Sequence, residues 1–172
     1  MPARKAPATP LEGLRVLDVS TMLAGPYGAT LLGDLGADVI KVESHLGDDS
    51  RRLGAMRDGE CGPFLSLNRN KRAVVIDMQQ PQGQDVFARL VATTDVLITN
   101  VREPALSKLG IDYESVRRHR GDVIWVGVTA SSRSAASMRG RSPPGSMIAA
   151  CLLRSHQTME QFCANGVTGT VR

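Results

Sequence analysis

Residues 11–43 read LEGLRVLDVSTMLAGPYGATLLGDLGADVIKVE, and the order of apolar runs and chain breakers within them decides the fold class. Residues 14–20 (LRVLDVS) are mostly apolar and lie between Gly13 and the Ala24-Gly25-Pro26 turn. Near-continuous hydrophobicity, not strict alternation, marks a strand covered on both faces. Pro26 suits the first turn of a helix, where its missing N–H forfeits no bond. Residues 27–35 (YGATLLGDL) read as that helix, and Gly36 supplies the left-handed residue that stops it. Residues 38–43 (DVIKVE) are a second strand.

The same beat continues outward. Residues 44–70, dominated by Gly, Asp and Arg, read as a long excursion loop of the kind that tends to be functional or disordered. A third buried strand spans residues 73–78 (AVVIDM). Pro81 opens a helix to about residue 93, with Val86, Phe87, Leu90 and Val91 on one face. A fourth strand covers residues 95–99 and a short element 104–109. After a turn at Gly110, a helix covers 113–119, and a fifth strand covers 123–128. Strands alternating with helices over short connections give parallel pairing and right-handed crossovers. The expected fold is α/β, a Rossmann-like, open, mostly parallel sheet of about five strands. It occupies residues 11–130, behind a loose leader at 1–10.

Composition narrows the possible functions. At 172 residues the chain holds one α/β domain and not two of ordinary size. A hydrophobic share of 42% with 22% charged residues is that of a soluble globular protein. The formal charge of +4 comes from scattered Arg and Lys, and aromatics make up only 3% of the chain. Without interleaved aromatics for bases to stack on, no nucleic-acid partner is expected. An anionic small molecule fits the same charge. Cys61, Cys151 and Cys163 have neither CxxC spacing nor a nearby His cluster, so neither zinc nor disulfides are expected. A reducing cytoplasm is the simplest setting. No stretch approaches the roughly 18–20 apolar residues of a membrane span, and the leader lacks the apolar region of a secretory signal.

Ligands of an open parallel sheet sit outside the carboxyl ends of its strands, so the loops there hold the candidates. Ala24-Gly25-Pro26 offers backbone amides to an anion, or is simply a tight strand-to-helix turn; it is not a GxGxxG fingerprint. Glu43 stands where a ribose-binding acid would, without the glycines that accompany one. Asn68-Arg69-Asn70-Lys71-Arg72 gathers three cations beside amides, which suits phosphate or a solvated, edge-blunting cluster. Asn100, Val101 and Arg102 follow the fourth strand, and Lys108 can reach the same anion. Arg51 and Arg52 read as a solvated face, and Asp18 and Asp77 as capping or turn carboxylates. His45, His119 and His156 have no partner pattern, and Ser20 has no base beside it. These residues argue for binding, and none is assigned a catalytic role.

Four strings carry a resemblance: residues 11–43, NRNKRAVVIDMQQPQG at 68–83, DVLITNVREPALSKLGIDYESV at 95–116 and VIWVGVTA at 123–130. Together they are similar to the N-terminal portion of the family III CoA-transferases, which include formyl-CoA and carnitine CoA-transferases and the related α-methylacyl-CoA racemases. The resemblance implies movement of CoA between carboxylic acids, with acyl-CoA as substrate and no covalently bound cofactor. It also implies an interlocked homodimer, or here pairing with a full-length homologue. A racemase-like member and a non-catalytic CoA-binding partner are the alternatives. Carried over position by position, the implied CoA contacts are Leu23, Ala24, Ile76, Asp77, Met78, Gln79, Asn100, Val101, Arg102 and Lys108.

Several positions depart from that pattern. Ser44 stands where many relatives have an arginine, Leu23 replaces a glutamine, and Arg102 and Glu103 replace small residues. A larger break follows Ala130. Relatives continue with a Gly-rich segment and an aspartate that attacks the thioester, whereas residues 131–172 contain no Asp, Glu160 as sole acid and His156 as sole histidine. This tail, rich in Arg, Ser, Ala, Gly and Pro without a hydrophobic period, is expected to be irregular. A frameshifted or truncated member is the expectation, and a lineage-specific extension the alternative.

Overall fold

The computed structural model describes residues 9–131 and 134–139. The chain runs β1 (Arg15–Asp18), α1 (Ala24–Asp34), β2 (Asp38–Glu43), a 3-10 turn (Asp49–Arg52), β3 (Met56–Arg57), β4 (Glu60–Cys61), α2 (Gly62–Asn68), β5 (Lys71–Val75), α3 (Pro81–Val91), β6 (Val96–Thr99), α4 (Ala105–Lys108), α5 (Tyr113–His119), β7 (Ile124–Ser131) and β8 (Ser134–Arg139). The main sheet orders them β5-β2-β1-β6-β7-β8. Its first five members pair in parallel, which is the doubly wound arrangement the alternation predicts.

Period-two alternation in the central strands builds a core on each face. Val16, Val39, Val96, Ile98, Ile124 and Val126 pack with Ala29 and Leu32 of α1. Leu17, Ile40, Leu97 and Trp125 turn the other way onto Phe87 and Val91 of α3 and Val116 of α5. Gly36 adopts a φ of +100° just past α1, the left-handed stop its position predicts. The face expected for α3 holds: Phe87 and Val91 are buried, and Val86 and Leu90 pack beside them.

Three local expectations change. First, the excursion of residues 44–70 holds a 3-10 turn, the β3–β4 hairpin and α2. Gly62-Pro63 looks like a breaker, but Pro63 occupies the first turn of α2, where it is tolerated. Phe64 and Leu67, one turn apart, are the buried residues of that helix. Second, the third strand starts and ends earlier than its apolar run: Lys71 to Val75 pair with Val39 to Glu43. It is also a sheet edge with Arg72, Ala73 and Val75 exposed, so the apolar run does not denote a strand covered on both faces. Third, residues 134–139, expected to be irregular, pair antiparallel with β7 (Val126↔Met138, Val128↔Ala136). An added edge strand is held by backbone groups and needs no hydrophobic period. The remainder of the tail, and its reading as frameshifted, lies outside the described residues, as does most of the leader.

Candidate functional site

The carboxyl ends of β1, β2, β5 and β6 open into one cleft of about 230 Å³. Its apolar floor is Val19, Val42, Ile76, Met78, Val101, Leu109 and Ile111, and its rim includes Thr21, the loop from Ser44 to Asp48, Asp77 and Gln79. The early end of β5 matters here. Ile76 N still donates to the Glu43 carbonyl at 2.9 Å, and Asp77, Met78 and Gln79 then leave the ladder into the loop that forms one wall, where Asp77 Oδ1 accepts from the Gln79 N–H at 3.0 Å.

Beneath the rim runs a buried row of alternating charges. Lys71 Nζ donates to Asp18 Oδ2 at 2.8 Å, to the Pro26 carbonyl at 2.8 Å and to Asn68 Oδ1 at 3.0 Å. Asp18 Oδ1 takes the Ser20 N–H at 3.1 Å and its hydroxyl. Lys41 Nζ lies 3.9 Å from Asp18 Oδ2 and 2.7 Å from Asp48 Oδ2, and donates to the Ser20 carbonyl at 2.8 Å. Among the described residues, Asp48 Oδ2 is held by this ion pair alone, without a well-aligned hydrogen bond. Its Oδ1 accepts from Met22 N at 3.1 Å, Ser50 N at 2.8 Å and Ser50 Oγ at 2.7 Å. Charges out of water survive only when paired in this way.

A second tie holds the same loop. Arg51 grips Glu43 with two hydrogen bonds of 2.8 Å and lies 3.7 Å over the Phe64 ring, a bidentate and cation–π arrangement suited to Arg. Asp48 N donates to Glu43 Oε2 at 2.9 Å. Glu43 is therefore a loop anchor and not a free ribose acceptor, and Arg51 is not simply solvated. The cluster at 68–72 is likewise engaged: Arg69 pairs with Asp34 at 2.5 Å, Arg72 with Asp38 at 2.6 Å, and Lys71 is buried on Asp18.

The proposed contacts do not all meet in one place. Ile76, Asp77, Met78, Gln79 and Val101 line the cleft. Leu23 is the N-cap of α1 and Ala24 its first residue, without a side-chain cap, directly after the rim residue Thr21. Arg102 is exposed beyond the cleft, and Lys108 lines a separate crevice with Gln84, Phe87, Ser115 and Arg118. Asn100 does something the sequence did not disclose: its Oδ1 accepts from Thr21 N at 2.9 Å and its Nδ2 donates to Thr21 O at 2.8 Å. Sequence reasoning missed Lys41 and Asp48. The signal for Lys41 was a lysine inside DVIKVE, a strand covered on both faces, where a charge demands a partner. Among the described residues no cluster of His, Cys, Asp or Glu could hold a metal ion, and no helix is long and apolar enough to cross a membrane.

These pairings give the fold an acid limit. The hydrogen bonds from Arg51 draw Glu43 below its usual 4.5 against the opposing effect of burial. Burial pushes Asp48 up, but Lys41 and Ser50 more than reverse it, leaving Asp48 below its usual 3.8. A carboxylate lowered on folding contributes stability that is fully present above its unfolded value and lost as pH falls through its folded value. Melting temperature is expected to be nearly level between about pH 7 and about pH 5 and to fall below about pH 4.5. Thermal melts followed by circular dichroism check this, and an unchanged midpoint at about pH 3 would contradict it.

Comparison with known proteins accords with this architecture. The sequence profile described as CoA-transferase family III matches residues 11–146, continuing past the break at Ala130. A succinate–glutarate CoA-transferase of Agrobacterium fabrum is 42% identical over 137 residues, covering 75% of this chain and 34% of the relative. The β subunit of a succinyl-CoA–L-malate CoA-transferase of Chloroflexus aurantiacus is 43% identical over 122 residues, covering 70% and 30%. A CAIB/BAIF family protein from Brucella suis superposes with a TM-score of 0.67 at 41% identity, over 70% of this chain and 33% of that one. The chain thus spans about a third of the length of these relatives. It belongs to CoA-transferase family III and corresponds to the N-terminal portion of that family's proteins.

Proposed function

We propose that the strand-end cleft binds coenzyme A and its thioesters, and that the protein serves the transfer of CoA between carboxylic acids. The observation that carries this reading is the convergence of Ile76, Asp77, Met78, Gln79, Val101 and Thr21 on one cleft. Its apolar floor suits a planar base or an alkyl arm, and its polar rim suits a charged or hydroxylated one. The relatives named above act, by their names, on succinate, glutarate and L-malate, so short dicarboxylic acids are the proposed acyl class. The Chloroflexus aurantiacus relative is by its name one of two kinds of subunit, the α subunit being 43% identical to this chain over 107 residues, which favours a multi-chain assembly over a solitary protomer.

Binding and chemistry separate within the described residues. Glu43 is committed to Arg51, Asp48 to Lys41, and Asp18 to Lys71. None of them is left to attack a thioester as a free nucleophile. Calorimetric titration of the 172-residue chain with CoA, beside an assay for transfer of labelled CoA from succinyl-CoA to glutarate, tests both parts. Saturable one-to-one binding without turnover is expected. Absence of binding would overturn the assignment of the cleft, and robust turnover would overturn the separation of binding from chemistry.

A further inference from the structure

The turn between β1 and α1 is more tightly held than an exposed turn needs to be. Met22 has a left-handed φ of +68° although it is not glycine, a conformation that residues with a long side chain rarely adopt. Met22 is 37% exposed, and two side chains from other strand ends hold the backbone around it. Asn100, just past β6, spends both of its amide functions on the Thr21 backbone, at 2.9 and 2.8 Å. Asp48, on the loop after β2, takes the next backbone N–H, that of Met22, at 3.1 Å. The carboxylate is only 1% exposed and is itself fixed by Lys41 at 2.7 Å.

We infer that Asp48 and Asn100 are positioning residues: a two-sided clamp that fixes Thr21–Met22 before ligand arrives. The clamp bridges the ends of β2 and β6 across β1, and both Thr21 and Asp48 belong to the cleft wall. A turn released from it would sample other conformations, and a ligand would have to reorder it on binding. Asn100 then acts through Thr21 and not by touching the ligand. This inference rests on the reading of the cleft as a CoA site.

The test uses the full chain and two variants, Asn100→Ala and Asp48→Asn, with two readouts. In CoA-free protein, hydrogen exchange of the Thr21 and Met22 amides is expected to speed up about tenfold or more in Asn100→Ala. CoA affinity is expected to fall about tenfold in parallel, the scale set by losing two hydrogen bonds and the preorganisation they confer. Asp48→Asn keeps an acceptor for Met22 but removes the charge that Lys41 holds, and should show the same coupled change. If that variant does not fold, Asn100→Ala carries the test. Faster exchange with unchanged CoA affinity would overturn the inference by making the clamp purely structural. Lowered affinity with unchanged exchange would overturn it by making Asn100 a direct ligand. Failure of the unaltered chain to bind CoA would instead refute the parent reading, while the exchange readout alone still reports whether the clamp exists.

Discussion

Replacing Lys41 with methionine is expected to destabilise the fold by about 3–5 kcal/mol. The side chain keeps its length and apolar stem, so lost packing is small. What changes is charge. Lys41 Nζ stands 2.7 Å from Asp48 and 3.9 Å from Asp18, and all three side chains are essentially sealed from water. Without the ammonium, Asp48 Oδ2 loses the one partner it has among the described residues, and Asp18 keeps Lys71 as its one cation among them, beside its hydrogen bonds from Ser20. Removing one member of a buried pair leaves an uncompensated charge, which is why the cost exceeds what the pair itself contributes. Arg89 and Asp85 on α3 provide the contrast: their ion pair of 3.4 Å lies between side chains 72% exposed, and Arg89→Ala should change stability by less than about 0.5 kcal/mol. Urea unfolding measures both. A Lys41→Met midpoint within about 1 kcal/mol of the unaltered chain would show that the row of charges is not holding the strand ends.

Much of the architecture was legible because periodicity and breakers coincide. The second strand and the helix of residues 113–119 fall where the sequence places them. In the latter case Asp112 caps the helix, accepting from Ser115 N at 3.0 Å. The excursion of residues 44–70 was not legible, because its order comes from side chains meeting across the fold. Arg51 finds Glu43 and Phe64, and Lys71 finds Asp18 from 53 residues away. A sequence shows charges without showing which ones meet. The site divides the same way: loops at strand ends were identifiable, but that Asn100 turns inward onto Thr21, and that Lys108 faces another crevice, are consequences of loop geometry.

Gly83→Ala is the second large effect, and two principles give it opposite signs. Inside an ordinary helix, alanine in place of glycine would add up to about 1 kcal/mol through propensity. At this position in α3, however, a Cβ would overlap the Asp77 carbonyl oxygen and come within 3.3 Å of Ile76 Cγ2. The obstacle is backbone, which cannot rotate away. Overpacking of this kind costs about 1–3 kcal/mol, so a net loss of stability is expected. The displaced segment carries Asp77, Met78 and Gln79, three residues of the cleft wall. CoA affinity should therefore fall by at least about tenfold, 1.4 kcal/mol of binding energy. Higher stability with normal affinity would mean that α3 and the wall are not in contact as described.

CoA is proposed to enter at the carboxyl ends of β1, β2, β5 and β6. Titrating CoA into the isotopically labelled chain and following backbone amide signals addresses this directly. Thr21, Asp77, Met78, Gln79 and Val101 are expected to shift together along one binding curve. Shifts confined to the crevice of Lys108, Ser115 and Arg118, or none at all, would contradict it.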